Sequence, residues 1–303
     1  MTVPERESGT MPSWVRLGLP GLFDVHTHFL PPTVTAKVRA QFDAAGPLIG
    51  RAWPLHYRDA DEVLVDTLRA LGVRRFTALP YAHRPGMAEW LNDWAAGFAG
   101  RVPEALVSAT FFPEPGAGEY VARRVAAGVE VFKLHVQVGG FDVRDPLLAE
   151  AWGVVEDAGT PVVLHAGSGP VPTEHTGPGP VAELLERHPR LRLVVAHAGA
   201  PEYAEFLSLA ERFERVHLDT TMVFTDFFDR IGAPYPTGLL PRLADLGDKV
   251  LLGSDFPNIP YPYDHQLDAL ERLGLGDDWL RAVCWGNAVR IWGEPPPPEA
   301  RPE

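Results

Sequence analysis

The chain has 303 residues, of which 46% are hydrophobic and 22% are charged, proportions typical of a globular protein. Its 40 acidic residues outnumber 27 basic ones, and the net charge of −13 argues against nucleic acid and anionic membrane surfaces as partners. The single cysteine, Cys284, excludes an intrachain disulfide and any CxxC metal or redox motif.

Neither a targeting segment nor a membrane span is predicted. Residues 1–20 contain acids and prolines but no apolar core of a signal peptide, and no stretch approaches the ~18 apolar residues of a membrane helix. We therefore expect a cytoplasmic protein. The predicted organisation is a flexible N-terminal segment (1–20), one domain (21–293) and a Pro-rich disordered tail (294–303).

Short β-branched or apolar runs alternate with amphipathic stretches along the whole domain. The predicted strands cover 22–29, 74–82, 105–113, 129–137, 161–167, 191–199, 215–221 and 249–257. The predicted helices cover 59–71, 87–99, 117–127, 146–158, 180–188, 201–212, 238–246, 264–273 and 277–290. This alternation predicts parallel βαβ units.

Eight such units predict an α/β fold of the (β/α)₈ TIM-barrel type, for which about 250 residues suffice. The alternative is an open doubly wound sheet, but no GxGxxG motif follows any predicted strand. The segment 30–58 is an unusually long connection after the first strand. Because such connections surround the active sites of barrels, we expect it to be a lid or a pocket wall.

Imidazoles and a carboxylate lie near the C-terminal ends of four of the predicted strands. They are His26 and His28 in the first strand, His165 in the fifth, His197 in the sixth and Asp255 in the eighth. Strand alternation also places Asp24 on the side of His26 and His28. Since barrel active sites lie at the C-terminal strand ends, these side chains are expected to converge.

This donor set suits a divalent metal, most simply Zn²⁺, with Mn²⁺ or Fe²⁺ as alternatives. Zinc can lower the pKa of a bound water to about 7 and so supply a nucleophile at neutral pH. Asp255 can combine coordination with proton acceptance. For His197, polarising a substrate carbonyl, shuttling a proton and binding a second metal all stay open.

Six motifs in this order resemble the amidohydrolase superfamily, and within it the amidohydrolase-related group that includes aminocarboxymuconate semialdehyde decarboxylase. They are FDVHTHFLPP (23–32), KLH (133–135), PVVLHAG (161–167), VVAHAG (194–199), LLGSDFP (251–257) and GNAVRIW (286–292). The resemblance covers nearly all of residues 20–292. It implies that His26, His28, His165 and Asp255 bind the metal and that His197 serves catalysis.

Several further residues are candidates for the pocket. Lys133 is either a carbamate bridging two metals, as in binuclear relatives, or, as we favour, a residue that binds a substrate carboxylate or pairs with an acid. His135 and Gln137 share its predicted strand face. Further substrate-binding candidates follow the second strand, namely Tyr81, His83 and Arg84.

Two more polar residues are predicted to be structural rather than catalytic. Asp219, at the end of the seventh strand, is interpreted as a hydrogen-bond acceptor that fixes a loop. Asn287, in the closing motif, is interpreted as packing or capping the last helix.

Three functions fit this pattern: hydrolysis of a C–N or C–O bond in an amide, lactone or ester, nonoxidative decarboxylation or hydration of an aromatic or unsaturated acid, and a metal-binding barrel without activity. Ala166 and Gly167 follow His165, where decarboxylases of the group more often have Pro-Trp. This difference favours hydrolysis of a small-molecule substrate. A homodimer is compatible with the sequence.

Overall fold

The structure is a computed structural model that describes residues 12–295. Its eight short strands all pair in parallel. In chain order they are β1 (Leu22–Asp24), β2 (Val73–Phe76), β3 (Ser108–Thr110), β4 (Val131–His135), β5 (Val162–His165), β6 (Leu193–Val195), β7 (Val216–Asp219) and β8 (Val250–Leu251). Each overlaps a predicted strand but is shorter than it.

The strands follow one another round a (β/α)₈ barrel. β1 pairs with β2, and β3 to β8 form a six-stranded sheet in sequence order. Single bridges connect these two sheets at both junctions, one between Phe76 and Ala105 and one between Thr27 and Phe256. The predicted TIM barrel is therefore confirmed, with an interrupted hydrogen-bond ladder at the two junctions.

Consecutive strand residues alternate between two apolar clusters, which separates the barrel interior from the layer beneath the helices. Val162 and Leu164 belong to the larger cluster, which also contains the buried faces of the helices. Val163 belongs to the smaller cluster, together with Phe23 and Val131. Because both strand faces are covered, central strands such as β5 and β6 are apolar until they reach their C-terminal ends.

Fifteen helices accompany the strands within residues 12–295. They are α1 (Ser13–Arg16), α2 (Pro32–Asp43), α3 (Gly46–Ile49), α4 (Asp61–Ala70), α5 (Ala88–Ala99), α6 (Ala117–Ala126), α7 (Val136–Gly139), α8 (Ala149–Ala158), α9 (Pro178–Arg187), α10 (Tyr203–Arg212), α11 (Asp226–Arg230), α12 (Leu240–Asp245), α13 (Asp264–Arg272), α14 (Asp277–Arg281) and α15 (Asn287–Trp292). All nine predicted helical regions are found. None of the helices in this part of the chain is both long and apolar enough to cross a bilayer.

The long connection after β1 forms a wall of the main cavity, as expected, and it contains two helices that its turn-rich sequence did not predict. α2 begins at the second of two consecutive prolines, a favourable position for proline because its fixed φ suits the first helical turn. α3 follows after a two-residue break and ends at Gly50, whose φ is +73°. Side chains of both helices line the cavity.

The two predicted terminal segments fall partly outside the described residues. Residues 1–11 of the predicted flexible segment and 296–303 of the predicted tail are not described. Within 12–20 the chain forms α1, and Arg16 on this helix is ion-paired with Glu271 and Asp277 near the other end of the domain.

Candidate metal centre

A cavity of about 550 Å³ opens at the C-terminal ends of the strands. Eight of the residues predicted for the site line it: His26, His28, Tyr81, His135, Gln137, His165, His197 and Asp255. His83 and Arg84 are exposed and do not line the cavity. Lys133 is fully buried and lies behind the lining rather than in it.

Three of these side chains form a buried group that can hold a metal ion. One donor atom each from His26, His28 and Asp255 lies within 4.8 Å of the others. The carboxylate oxygen Oδ1 of Asp255 is 3.0 Å from Nε2 of His28 and 3.6 Å from Nε2 of His26. Two imidazoles and one carboxylate are the donors of many divalent-metal sites.

The hydrogen bond that Nδ1 of His28 makes determines whether Nε2 of the same ring can bind a metal. Nδ1 of His28 lies 2.9 Å from the carbonyl oxygen of Leu79. A carbonyl oxygen only accepts, so Nδ1 carries the proton and Nε2 of the neutral ring carries a lone pair. That lone pair faces the carboxylate of Asp255. Two acceptors at this distance need a positive charge, either a proton on Nε2 or a metal ion that both atoms bind, so the geometry fits a divalent metal.

His26 is oriented in the same way by a buried carboxylate. Its Nδ1 lies 2.8 Å from Oδ2 of Asp219, an arrangement that fixes the ring and makes Nε2 a stronger donor to a metal. Nε2 of His26 also lies 3.3 Å from Nζ of Lys133. Burial lowers the pKa of Lys133 to about 8, against the attraction of Asp219 and Asp255, which reduces its competition with a bound cation.

Asp219 combines two functions, one predicted and one not. Its Oδ1 accepts hydrogen bonds from the backbone N–H groups of His197 and Thr221, which confirms the predicted loop-fixing role. Its contact with His26 was not predicted, because sequence spacing does not reveal which imidazole a carboxylate will meet across the barrel. Asp219 is thus a positioning residue for the metal group.

His197 presents an unprotonated Nε2 in the neutral ring. Its Nδ1 lies 3.0 Å from the carbonyl oxygen of Thr221 and must donate to it. Burial lowers the pKa of His197, partly opposed by the attraction of Asp255, so the neutral form is favoured. In that form Nε2 accepts a proton or binds a metal but cannot donate a hydrogen bond to a substrate carbonyl.

Asp255 and His197 both occupy the left-handed backbone region, with φ of 73° and 54°. Non-glycine residues adopt such conformations at a cost of about 1–3 kcal/mol, and they cluster at active sites. Short backbone hydrogen bonds hold both: the N–H of Asp255 donates to His26 O, and that of His197 donates to Asp219 Oδ1, each at 2.8 Å. Hydrogen bonding to His28 keeps the pKa of Asp255 below its usual range, although burial alone would raise it.

His165 lines the same cavity, but it is not part of the three-residue group. Its Nε2 lies 3.0 Å from the carbonyl oxygen of Gly169. Its ring stacks on His135 with centroids 3.9 Å apart and lies 4.7 Å from the ring of His197. Burial lowers the pKa values of His165 and His135 well below the usual range, which favours the neutral form of both rings.

Strand alternation failed at two positions, because the strands end earlier than predicted. β4 ends at His135, whose side chain accepts from Val138 N and caps α7, so Gln137 reaches the cavity from a helix. β1 ends at Asp24, which does not join His26 and His28. Asp24 is instead fully buried behind the site, where it accepts hydrogen bonds from two hydroxyl groups.

Two further predicted residues, Tyr81 and Asn287, have well-defined contacts in the structure. Tyr81 packs edge-on against His28, with ring centroids 5.5 Å apart, and burial raises its pKa, so its hydroxyl stays protonated. Asn287 donates to the carbonyl oxygens of Gly247 and Val250, which confirms its predicted structural role.

Among the cavity-lining residues that the sequence analysis did not name individually are Trp53, which lies in the predicted wall segment 30–58, Phe228 and Asn258. Asn258 lies three positions after Asp255, a spacing that could have suggested it. Trp53 donates to the carbonyl oxygen of Asn258, and Phe228 stacks beside His197 with ring centroids 5.8 Å apart. These two come from distant connections, and no local signal identifies them.

Solved structures with the same fold include several enzymes. An uncharacterised TIM-barrel protein from Bordetella bronchiseptica matches with a TM-score of 0.70 and 19% identity, over 89% of this chain and 98% of its own. A 5-carboxyvanillate decarboxylase from Novosphingobium aromaticivorans, complexed with manganese, matches with a TM-score of 0.63 and 13% identity, over 91% and 97%.

A probable 2-pyrone-4,6-dicarboxylic acid hydrolase from Acinetobacter baumannii matches with a TM-score of 0.59 and 15% identity, over 90% of this chain and all (100%) of its own. At these identities the similarity establishes the fold. No curated protein matches the chain. The amidohydrolase family model, by contrast, matches residues 23–293, almost the whole described domain. The chain therefore belongs to the amidohydrolase family.

Proposed function

We propose that the protein is a metal-dependent hydrolase that cleaves a C–N or C–O bond in a small amide, lactone or ester. The observation that carries the proposal is the close approach at the cavity of two potential metal ligands, Nε2 of His28 and Oδ1 of Asp255, 3.0 Å apart. A metal ion can bind both atoms, and Nε2 of His26 is close enough to bind it as well.

The proposed ligands are His26, His28 and Asp255, with His165 as a predicted fourth ligand from the adjacent wall. Zinc is the proposed metal, because it favours imidazole and carboxylate donors in low coordination number. When bound, such a metal supplies Lewis acidity and lowers the pKa of water at the site.

The protein groups around this centre supply the proton transfers. Asp255 is held ionised, so one of its oxygens can accept the proton of an attacking water. His197 is proposed as the proton shuttle, because its neutral ring exposes an accepting Nε2 and can later return the proton to the leaving group. Tyr81 keeps its proton and is proposed to donate a hydrogen bond to the substrate.

The second candidate is nonoxidative decarboxylation of an aromatic or unsaturated acid on the same metal frame. We consider this reaction because a 5-carboxyvanillate decarboxylase complexed with manganese has a similar fold. The two reactions differ in their products: hydrolysis of a lactone or ester releases an acid that base titration detects, hydrolysis of an amide releases an amine, and decarboxylation releases CO₂.

The test uses purified protein loaded with zinc or manganese and a panel of neutral lactones, esters and amides beside carboxylated aromatic acids. We expect hydrolysis in the first group, detected by base titration for lactones and esters and as released amine for amides, and no CO₂ from the second. His28→Ala should lose the metal, because Nε2 of His28 faces Asp255 directly. Metal content is measured by inductively coupled plasma mass spectrometry, and activity should be lost together with the metal.

The matched control is His56→Ala, which removes an exposed imidazole that does not line the cavity. This variant should keep its metal and its turnover. CO₂ release without acid release would replace hydrolysis by decarboxylation. Full metal occupancy in folded His28→Ala would remove the proposed centre.

A further inference from the structure

Much of the cavity wall outside the metal group is apolar. Nine of the cavity-lining residues are large apolar side chains from the connections around the site: Val38, Phe42, Leu48, Ile49, Trp53, Val138, Val171, Phe228 and Ile231. Away from the metal group the polar lining is sparse, and it includes the uncharged amides Gln41 and Gln137. The polar side chains that can react are thus concentrated at one end of the cavity.

No arginine or lysine contributes to the lining within residues 12–295. Lys133, the nearest buried cation, lies behind His26 and is not part of the cavity surface. Arg51 stacks over the ring of Phe227 and does not line the cavity either. Asp255 is the one carboxylate of the lining within residues 12–295, and the whole chain has a net charge of −13.

The mouth of the cavity leaves apolar surface uncovered. Leu48 is 71% exposed and Val138 is 44% exposed, and both line the cavity. A bound molecule with an apolar body would cover them and so remove apolar surface from water. The cavity volume lies within the roughly 300–1,000 Å³ of ordinary small-molecule sites.

From these observations we infer that the substrate is electrically neutral away from its reacting group and carries an apolar aryl or alkyl body seated on this wall. The inference rests on the proposed hydrolysis for the nature of the reacting group. A carboxylate on the apolar body would lose its hydration without meeting a cation. Since an unpaired buried charge is strongly unfavourable, the affinity for such a substrate should be lower by about 10²-fold or more.

The first measurement is independent of the reaction catalysed. Benzohydroxamate and 4-carboxybenzohydroxamate both present a metal-binding group, but only the second carries a charge on its ring. Calorimetric titration of the zinc-loaded protein should give a Kd for the neutral compound that is at least about 10²-fold lower. Equal affinities, or tighter binding of the carboxylated compound, would overturn the inference.

The second measurement compares kcat/KM for γ-phenyl-γ-butyrolactone and its 4-carboxyphenyl analogue. We expect turnover of the neutral lactone and a loss of about 10²-fold or more for the charged one. If neither lactone is hydrolysed while the hydroxamates are still discriminated, the proposed hydrolysis is wrong for this class of bond and the inference about the wall stands. Faster turnover of the charged lactone would overturn the inference alone.

A substitution that adds the missing cation tests the same wall directly. Ile49→Arg places a guanidinium on α3 at the cavity, and Ile231→Arg is a second variant should the first fail to fold. Either variant should bind 4-carboxybenzohydroxamate more tightly, so that the ratio of its Kd to that of benzohydroxamate falls by about tenfold. Val63→Arg, on a half-exposed position of α4 outside the cavity, should leave the ratio unchanged. An unchanged ratio in both folded cavity variants would contradict the inference.

Discussion

Two buried polar clusters lie back to back at the C-terminal ends of β1 and β8, and they differ in how their hydrogen bonds are satisfied. The open cluster, His26, His28 and Asp255, faces the cavity. The closed cluster, Asp24, Ser254 and Tyr263, is fully buried and does not line the cavity. Adjacent residues, Ser254 and Asp255, belong to different clusters.

In the closed cluster every polar group meets a protein partner. Asp24 accepts from Ser254 Oγ at 2.5 Å, from Tyr263 Oη at 2.9 Å and from the backbone N–H of His26 at 3.1 Å. In the open cluster, by contrast, atoms of three potential metal ligands face one another, and Nε2 of His28 and Oδ1 of Asp255 pair only through a shared proton or a metal ion. Buried polar groups normally have hydrogen-bond partners. We therefore interpret the closed cluster as structural and the open cluster as a ligand-binding site.

The largest expected effect is on turnover, beside the open cluster. His197→Asn should lower kcat by about 10²–10⁴-fold, the usual contribution of a group that transfers protons. Metal content and thermal stability should stay close to those of the parent protein, because His197 is not within the three-residue donor group. Kinetics, elemental analysis and a melting curve check the three quantities together.

Two outcomes would revise the role of His197. Loss of metal in the folded variant would make it a ligand, since its Nε2 is also free to coordinate. Near-normal turnover would make it a bystander, and Tyr81 and His135 would be the next candidates for the proton transfer.

The barrel and the position of its site could be predicted from the sequence, because both leave a periodic signal. Apolar runs of the right length mark the strands, and a histidine or aspartate at the end of such a run stands out, as at His165 and Asp255. The ends of the strands could not be located so well. β1 stops at Asp24, so alternation assigned that residue to the wrong cluster.

The groups that orient the site left no sequence signal. The ring of His28 is held by the carbonyl oxygen of Leu79 and that of His197 by the carbonyl oxygen of Thr221. A backbone carbonyl is available at every residue, so its partner depends on tertiary structure alone. The same applies to the apolar wall, where α2 and α3 could not be predicted from a segment containing several glycines and prolines.

A smaller effect, on stability rather than turnover, is expected in the closed cluster. Tyr263→Phe keeps the ring and removes one of the two hydroxyl groups that donate to Asp24. Losing a hydrogen bond to a buried carboxyl group should cost about 1–2 kcal/mol and lower Tm by about 2–4 °C. Metal content and kcat should not change, because this hydroxyl lies outside the cavity.

A matched control is available for this comparison. The hydroxyl of Tyr235 is buried and has no hydrogen-bond partner among the described residues, so Tyr235→Phe should be neutral or slightly stabilising. If Tyr263→Phe lost metal or kcat to the same extent as a change in the open cluster, the division into two clusters would fail.

The smallest expected effect is on metal content when Lys133, which lies behind the open cluster, is substituted. Its Nζ is 3.3 Å from Nε2 of His26, the atom proposed to bind the metal. Burial lowers its pKa to about 8, so a fraction of the amine is neutral near pH 7 and could in principle react with CO₂ to give a bridging carbamate. Within residues 12–295, however, the one group with metal-binding spacing comprises His26, His28 and Asp255.

We therefore expect close to one equivalent of metal in the parent protein and in Lys133→Met, which conserves most of the side-chain volume while removing the amine. Elemental analysis against protein concentration measures this number. Two equivalents that fall to one in Lys133→Ala, and return when a short carboxylic acid is added, would establish the carbamate instead. In that case the open cluster would extend to Lys133 and His197, and the residue behind His26 would belong to the metal centre rather than to the barrel core.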